Sequence, residues 1–273
     1  MGEQRKISIN LLTKAFWCGI IITSKGFAYY EEEYLLKVKP LLSKINTDTF
    51  IEDYLTACKV EDVGEYLNPT GLYVDEPSLY VNMDKACSMV KHHIGEGNKI
   101  SILCDEDCDG ECSTAIIYTF LKSLGANIKV FFHNISKAHG LTKTSKDTVI
   151  DDIIAWEPSL LIIPDASTDE YCCKELKQHG CDVIFLDHHN YDFSSNPYAV
   201  IVNCLQQPNT NQSASGSLVT AKFCQRYAEL YGIKCPDYTD LVAMSLVSDV
   251  MDLSSMENRQ YISDWLRGWN GIE

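Results

Sequence analysis

The stretch Lys99-Ile-Ser-Ile-Leu-Cys-Asp-Glu-Asp-Cys-Asp-Gly110 decides the fold. Its first half is a short apolar, β-branched run that reads as a buried strand over 100–103. Its second half sets Asp105, Asp107 and Asp109 on alternate positions ahead of a glycine, and from 112 to 124 apolar residues return at helical spacing. Outward from this unit the alternation continues: strands over 128–132, 160–163, 183–186 and 200–202, with helices over 147–156 and 169–179. Strands separated by helices need right-handed crossovers, so the expected fold class is α/β, a parallel doubly wound sheet with helices on both faces. After residue 203 the pattern is helical, over 216–231, 238–250 and 261–269.

Upstream, Asn68-Pro-Thr-Gly71 and Asp75-Glu-Pro77 are turn-rich punctuation, and apolar residues recur at helical spacing over 80–93. Residues 1–60 show no clear alternation with strands and read as mainly helical, for instance over 27–42 and 49–60. The expected organisation is therefore a mainly helical N-terminal extension, 1–80, and an α/β domain with C-terminal helices, 81–273.

The chain has 273 residues, 38 of them acidic and 23 basic, for a formal net charge of −15. With 45% hydrophobic residues it can bury a substantial core, which excludes a disordered or fibrous protein. The longest apolar run, 15–23, is about half of what a bilayer requires. Charges of both signs in 1–8, and no small-residue cleavage site after the run, argue against a signal peptide, so a cytoplasmic protein with no membrane contact is expected. Twelve cysteines include no Cys-x-x-Cys pair; reduced, mostly buried thiols are expected rather than zinc or disulfides. The acidic balance disfavours a broad phosphate-binding surface, so any nucleic-acid contact must be local or metal-mediated.

Three of the strand runs lead into an aspartate: Asp105, Asp165 and Asp187. In an open parallel sheet all three emerge at the carboxyl edge, where such folds bind ligands. For any one alone, a turn or helix-cap role is the commoner reading. Together, with Asp107 and Asp109 crowding the first loop and His188 and His189 following Asp187, they form a like-charged cluster that calls for a cation. Oxygen ligands with one or two imidazoles suit Mn²⁺ or Mg²⁺, and the set matches two-metal phosphoester hydrolysis. Asp249, at the end of an apolar helix, is either a solvated helix end or a fourth ligand source. The doublet His92-His93 reads as a surface feature, with no acid at ligand spacing.

The order Asp-x-Asp-x-Asp-Gly, then Asp165, then Asp187-His188-His189, then Asp249 resembles the DHH phosphoesterase superfamily, and within it the RecJ-type 5′ to 3′ single-stranded-DNA exonucleases. The likeness covers about 60–262 and includes Tyr66-Leu-Asn-Pro69, Asn82-Met-Asp-Lys-Ala86, Asn203, Ser215-Gly216, Ser248-Asp-Val-Met-Asp-Leu253 and Glu257-Asn-Arg259. It implies two Mn²⁺ or Mg²⁺ ions, one held by Asp107, Asp165, His188 and Asp249, the other by Asp105 and the bridging Asp165. It also implies that His189 contacts the scissile phosphate and that Asp187 and Asp109 act behind the ligands. Backbone N–H groups at Ser215, Gly216 and Ser217 read as a phosphate site or a plain helix start, and Lys137, His139 and Lys143 as phosphate contacts or a solvated loop.

Three departures qualify the likeness. Leu103 stands where the family usually has a histidine, which implies a weaker hold on one ion. Asn134 and His139 replace an arginine and a tyrosine of a family loop. The second domain and the oligonucleotide-binding barrel of the full enzymes have no counterpart here, so a partner protein supplying a DNA clamp is expected. The implied activity is a metal-dependent phosphodiesterase or exonuclease on single-stranded DNA or short oligonucleotides. The alternatives are a non-catalytic replication or repair scaffold and a small-substrate phosphodiesterase for cyclic dinucleotides or nano-oligonucleotides.

Overall fold

The apolar strand runs pair side by side in one parallel sheet, and its order locates the crevice. In the computed structural model the described residues are 46–134, 140–141, 147–166, 170–190 and 196–269, with the strand backbones at 21–23, 26–29 and 39–40. The chain divides into two compact units, residues 1–68 and 69–273.

In the first unit, β1 (Ile21–Thr23), β2 (Gly26–Tyr29) and β3 (Lys39–Pro40) form an antiparallel sheet, followed by the helices α1 (Phe50–Ala57) and α2 (Val63–Leu67). The helix expected over 27–42 is corrected here: residues 26–29 and 39–40 are strands. Thr23 pairs with Gly26, so the isoleucine-rich run and Gly-Phe-Ala-Tyr fold back as a hairpin. Aromatic and β-branched residues favour that arrangement over a helix.

The second unit begins at Pro69, and residues 71–75 hydrogen-bond its last helix: the Gly71 N–H reaches Gln260 Oε1 at 2.7 Å and the Asp75 N–H reaches Glu257 Oε1 at 3.0 Å. Its elements run α3 (Met83–Gly95), β4 (Lys99–Cys104), α4 (Cys108–Ser123), β5 (Asn127–Phe132), α5 (Val149–Trp156), β6 (Leu160–Pro164), α6 (Glu170–Gln178), β7 (Asp182–Asp187), β8 (Val200–Asn203), α7 (Gly216–Tyr231), α8 (Thr239–Ser248) and α9 (Met256–Trp269). The strand order is β5-β4-β6-β7-β8, with every neighbour parallel. Alternate residues face opposite cores. Ile100, Ile102, Ile162 and Ile184 pack with α3, α4, α7 and α8, whereas Leu103, Leu161, Ile163 and Phe185 pack with α5 and α6. Burial on both faces is why the central strands read as continuous apolar runs.

The chain leaves β4 towards β5 on one side and later returns to β6 on the other. The order therefore reverses between β4 and β6, and at their carboxyl ends the diverging connections open a crevice.

The surface reading of the His92-His93 doublet is corrected at His93. Its ring is buried at the end of α3, with Nε2 3.2 Å from Asp182 Oδ2 and Nδ1 3.1 Å from Asn98 Nδ2. A helical doublet points its two rings in different directions, so the sequence neighbours of one say little about the other. The cysteines of the described residues are all free, and most are buried. No described helix is long and apolar enough to cross a membrane.

Candidate metal centre

Each acid reaches the crevice for a local reason. Asp105 follows the last residue of β4 and is buried. Asp107 is the N-cap of α4 and accepts the Gly110 N–H at 2.9 Å. Gly110 is needed there, because a Cβ would lie 2.7 Å from Asp105 Cβ and 2.8 Å from its carbonyl oxygen. Asp165 follows β6 with φ of 55°, a left-handed turn that aspartate tolerates, and its N–H is held by the Leu186 carbonyl at 2.9 Å. Gly216 opens α7 directly against it, where a Cβ would meet Asp165 Cβ at 2.5 Å.

Asp249 caps the C-terminal end of α8. The next residue, Val250, also has φ of 55°. Its N–H reaches the Val247 carbonyl at 3.3 Å, and the Met251 N–H reaches the Leu246 carbonyl at 3.0 Å. That is the bonding of a Schellman stop with valine where glycine is usual, a strained choice for a β-branched side chain.

His188 Nε2 is the hub of the cluster. It lies 3.1 Å from Asp165 Oδ1, 3.6 Å from Asp249 Oδ2 and 3.8 Å from Asp109 Oδ2. Ligand atoms lie within 4.8 Å of one another in three sets: Asp165, His188 and His189; Asp109, His188 and Asp249; Asp105, Asp107 and Asp165. Asp107 thus groups with Asp105, while Asp109 takes the place beside His188 and Asp249.

The donors fit a hard divalent cation. Asp165 Oδ1 is buried and accepts no hydrogen bond although His188 Nε2 faces it at 3.1 Å. An oxygen and an imidazole nitrogen turned on one point are arranged as ligands are. Burial, and then the charges of Asp109 and Asp107, push the Asp165 carboxyl up to about 10. Burial also raises Asp249, partly offset by His188. Crowded carboxylates in this state hold protons until a cation replaces them.

Asp187 is fully buried and holds His189. Its Oδ1 accepts the ring Nδ1–H at 2.8 Å and the backbone N–H at 3.2 Å, and Asn203 Nδ2 fixes its other oxygen at 3.2 Å. The hydrogen bond from Asp187 raises the His189 imidazole above its ordinary value, against the opposing effect of burial. The His189 side chain remains 45% exposed, so the ring is both oriented and accessible.

Two expected phosphate contacts are corrected. The Gly216 N–H donates to Asp109 Oδ2 at 2.7 Å, and the Ser217 N–H and hydroxyl donate to Asp109 Oδ1 at 2.8 and 2.6 Å. Ser215 Oγ is buried against Ser245 Oγ at 2.7 Å. The start of α7 is thus closed by an internal carboxylate, which satisfies the donors a substrate anion would have used. This role of Asp109 was not legible, because its partners lie more than 100 residues away; the one local signal is the run of small residues Ser215-Gly216-Ser217. Leu103 is buried in the core beneath the sheet and offers no ligand. Lys137, His139 and Lys143 lie outside the described residues.

The profile of the DHH family, N-terminal domain, matches residues 99–246, more than half of the chain. The chain belongs to the DHH family. As a DHH protein it is 29% identical over 212 residues to the putative SPbeta prophage-derived single-strand DNA-specific exonuclease YorK of Bacillus subtilis (strain 168), covering 76% of this chain and 35% of that protein. It is 25% identical over 171 residues to the single-stranded-DNA-specific exonuclease RecJ of Thermus thermophilus, covering 62% of this chain and 25% of RecJ. The chain thus spans about a third or less of the length of these relatives. A crystal structure of exonuclease RecJ bound to manganese superposes with a TM-score of 0.62 at 24% identity, over 69% of this chain and 48% of that one. RecJ of Thermus thermophilus in complex with Mn²⁺ also gives 0.62, at 23% identity, over 74% of this chain and 28% of that one. These likenesses show the DHH fold of residues 99–246 and its neighbouring helices.

Proposed function

We propose that residues 69–273 carry the catalytic unit of a divalent-cation-dependent phosphodiesterase that hydrolyses single-stranded DNA or short oligonucleotides. The observation that carries this reading is the convergence of Asp165 Oδ1 and His188 Nε2 at 3.1 Å without a hydrogen bond, inside three overlapping ligand sets. The exonuclease names of YorK and RecJ, and the Mn²⁺ in the RecJ structures, support the substrate class and the metal.

Asp165, His188 and Asp249 would hold one ion, and Asp105, Asp107 and the shared Asp165 a second, so Asp107 moves from the first ion, where the resemblance put it, to the second. Asp109 stands close enough to His188 and Asp249 to join the first. When bound, the ions supply Lewis-acid charge neutralisation at a phosphoryl group and activate water. The protein's own contribution is orientation. Asp187 takes the His189 Nδ1–H and leaves Nε2 free, and because the same hydrogen bond favours the imidazolium, Nε2–H can then donate to a phosphate oxygen. The backbone turn at Asp165 sets the shared carboxylate between the two ligand groups. Leu103 in place of a ligand weakens the Asp105 side of the centre. That residue is also what favours the second reading, a non-catalytic replication or repair scaffold.

The deciding experiment is hydrolysis of 5′-labelled single-stranded DNA and of 2- to 5-mers with Mn²⁺, with chelator, and by Asp165→Ala. Turnover that needs Mn²⁺ and disappears in Asp165→Ala, with folding retained, is expected. Wild-type protein inert with Mn²⁺ on every substrate would establish the scaffold reading instead.

A further inference from the structure

Beside the metal centre, α4 and the edge strand β5 enclose a groove of about 380 Å³ whose walls include Cys104, Glu111, Thr114, Ala115, Tyr118 and Phe132. We propose that this groove holds a nucleobase of the oligonucleotide whose phosphate lies at the metal centre; the proposal rests on the reading above and adds where the base goes.

Three observations carry it. The groove lies at the same carboxyl end of the sheet as the centre, since Cys104 in its wall directly precedes Asp105 and pairs in register with Phe132 on β5. Phe132 is 63% exposed at the carboxyl end of the outermost strand, so an aromatic face stands open on the same sheet edge as the clustered acids. Stacking on such a face is how proteins hold the bases of single strands, with little regard to sequence. The Thr114 hydroxyl in the wall is 7% exposed as a residue and has no hydrogen-bond partner beyond the weakly polar Cys104 thiol. A buried hydroxyl with unused capacity suits the polar edge of a base.

The charge of the groove decides which part of the nucleotide enters. Glu111 lies at its rim in the first turn of α4 and repels a phosphate, but it accepts a hydrogen bond from an exocyclic amino group. The apolar walls, Ala115 and Tyr118, match the body of the base. Backbone phosphate stays at the cations, and the base turns outward against β5.

The test is anisotropy titration of the full chain with a fluorescein-labelled single-stranded pentanucleotide in Ca²⁺, set beside a pentamer of the same charge made of abasic nucleotides. Phe132→Ala, exposed and so harmless to folding, and Ala115→Leu, which fills the groove, should each raise the Kd of the natural pentamer by about 5- to 100-fold. The abasic pentamer should bind both variants as it binds the wild type.

Equal Kd values for wild type and variants overturn the proposal, as does an equal loss for both ligands. So does a dimer-to-monomer shift of Phe132→Ala in sedimentation, which would make the groove a self-association surface. Phe132-dependent binding without any Mn²⁺-dependent cleavage would leave the groove standing and remove the phosphodiesterase reading.

Discussion

Asp165 combines three properties that seldom meet in one residue: a left-handed backbone, near-complete burial, and a carboxyl raised to about 10 from its ordinary 3.8. Between those two values the folded chain holds a proton that the unfolded chain has released, so this group's contribution to stability is full below about pH 4 and is lost as pH rises towards 10. In chelator, the melting temperature of Asp165→Asn should therefore exceed that of the wild type by a margin that widens from pH 6 to pH 9. Saturating Mn²⁺ should close or reverse that margin, because the cation takes the proton's place in the wild type alone. A margin that stays constant with pH would show that Asp165 is already ionised without a cation. Gly216 supplies the second test at this scale. Alanine suits a helix better than glycine by about 1 kcal/mol, but its Cβ would sit 2.5 Å from Asp165 Cβ and 2.7 Å from Oδ1. Because the overlap is with Asp165 Cβ and backbone rather than a side-chain tip, Gly216→Ala should destabilise the fold by about 1–3 kcal/mol, while turnover falls at least about tenfold through displacement of the shared carboxylate. Calorimetry and initial rates on one preparation separate the two effects.

At the scale of elements, the strands and helices around the site were legible because their apolar periods are unambiguous. A strand buried on both faces, such as β6 with Leu160 to Ile163, leaves no other reading once helices flank it. What failed were long-range satisfactions. Asp109 reads locally as a loop acid, yet it closes the start of α7; His93 reads as a surface imidazole, yet it meets Asp182. The N-terminal hairpin failed for another reason: short aromatic-rich runs without alternating polarity do not distinguish two periods. Asn258 shows how such contacts assemble the site. It is fully buried at the start of α9, its Nδ2 donates to the carbonyls of Ser213 and Asp252 at 2.8 and 3.0 Å, and its Oδ1 accepts from Asn211 at 2.8 Å. One amide thus ties the turn before α7, which carries Gly216, to the loop just after Asp249. Asn258→Ala removes three hydrogen bonds of a fully buried amide, to Ser213, Asp252 and Asn211, and should cost about 1–3 kcal/mol. Because the loop it releases begins directly after Asp249, the Mn²⁺ concentration for half-maximal activity should also rise several-fold at a temperature where the variant is fully folded. Mn²⁺ dependence identical to wild type under those conditions would confine Asn258 to a purely structural role.

For the whole molecule, charge sets the terms on which any nucleic acid can approach. With 38 acidic and 23 basic residues and a net −15, the chain repels a polyanion at long range, and binding driven by counterion release from a basic surface is closed to it. Several of the acids stand in the crevice itself, so without cations the phosphate would meet the strongest repulsion where it must bind. Divalent ions reverse that locally, by neutralising the carboxylates and offering positive charge at one point. The affinity for single-stranded DNA should then depend steeply on the divalent cation and only weakly on monovalent salt. In a titration with a 20-mer, chelator should abolish measurable binding even at 50 mM salt. With Ca²⁺ present, the slope of log K against log salt should correspond to no more than about two neutralised phosphates at roughly 0.7 per phosphate. Nanomolar binding in chelator, or a slope several times steeper, would mean that a basic surface outside the described residues does the holding, and that the metal centre acts on DNA already bound elsewhere.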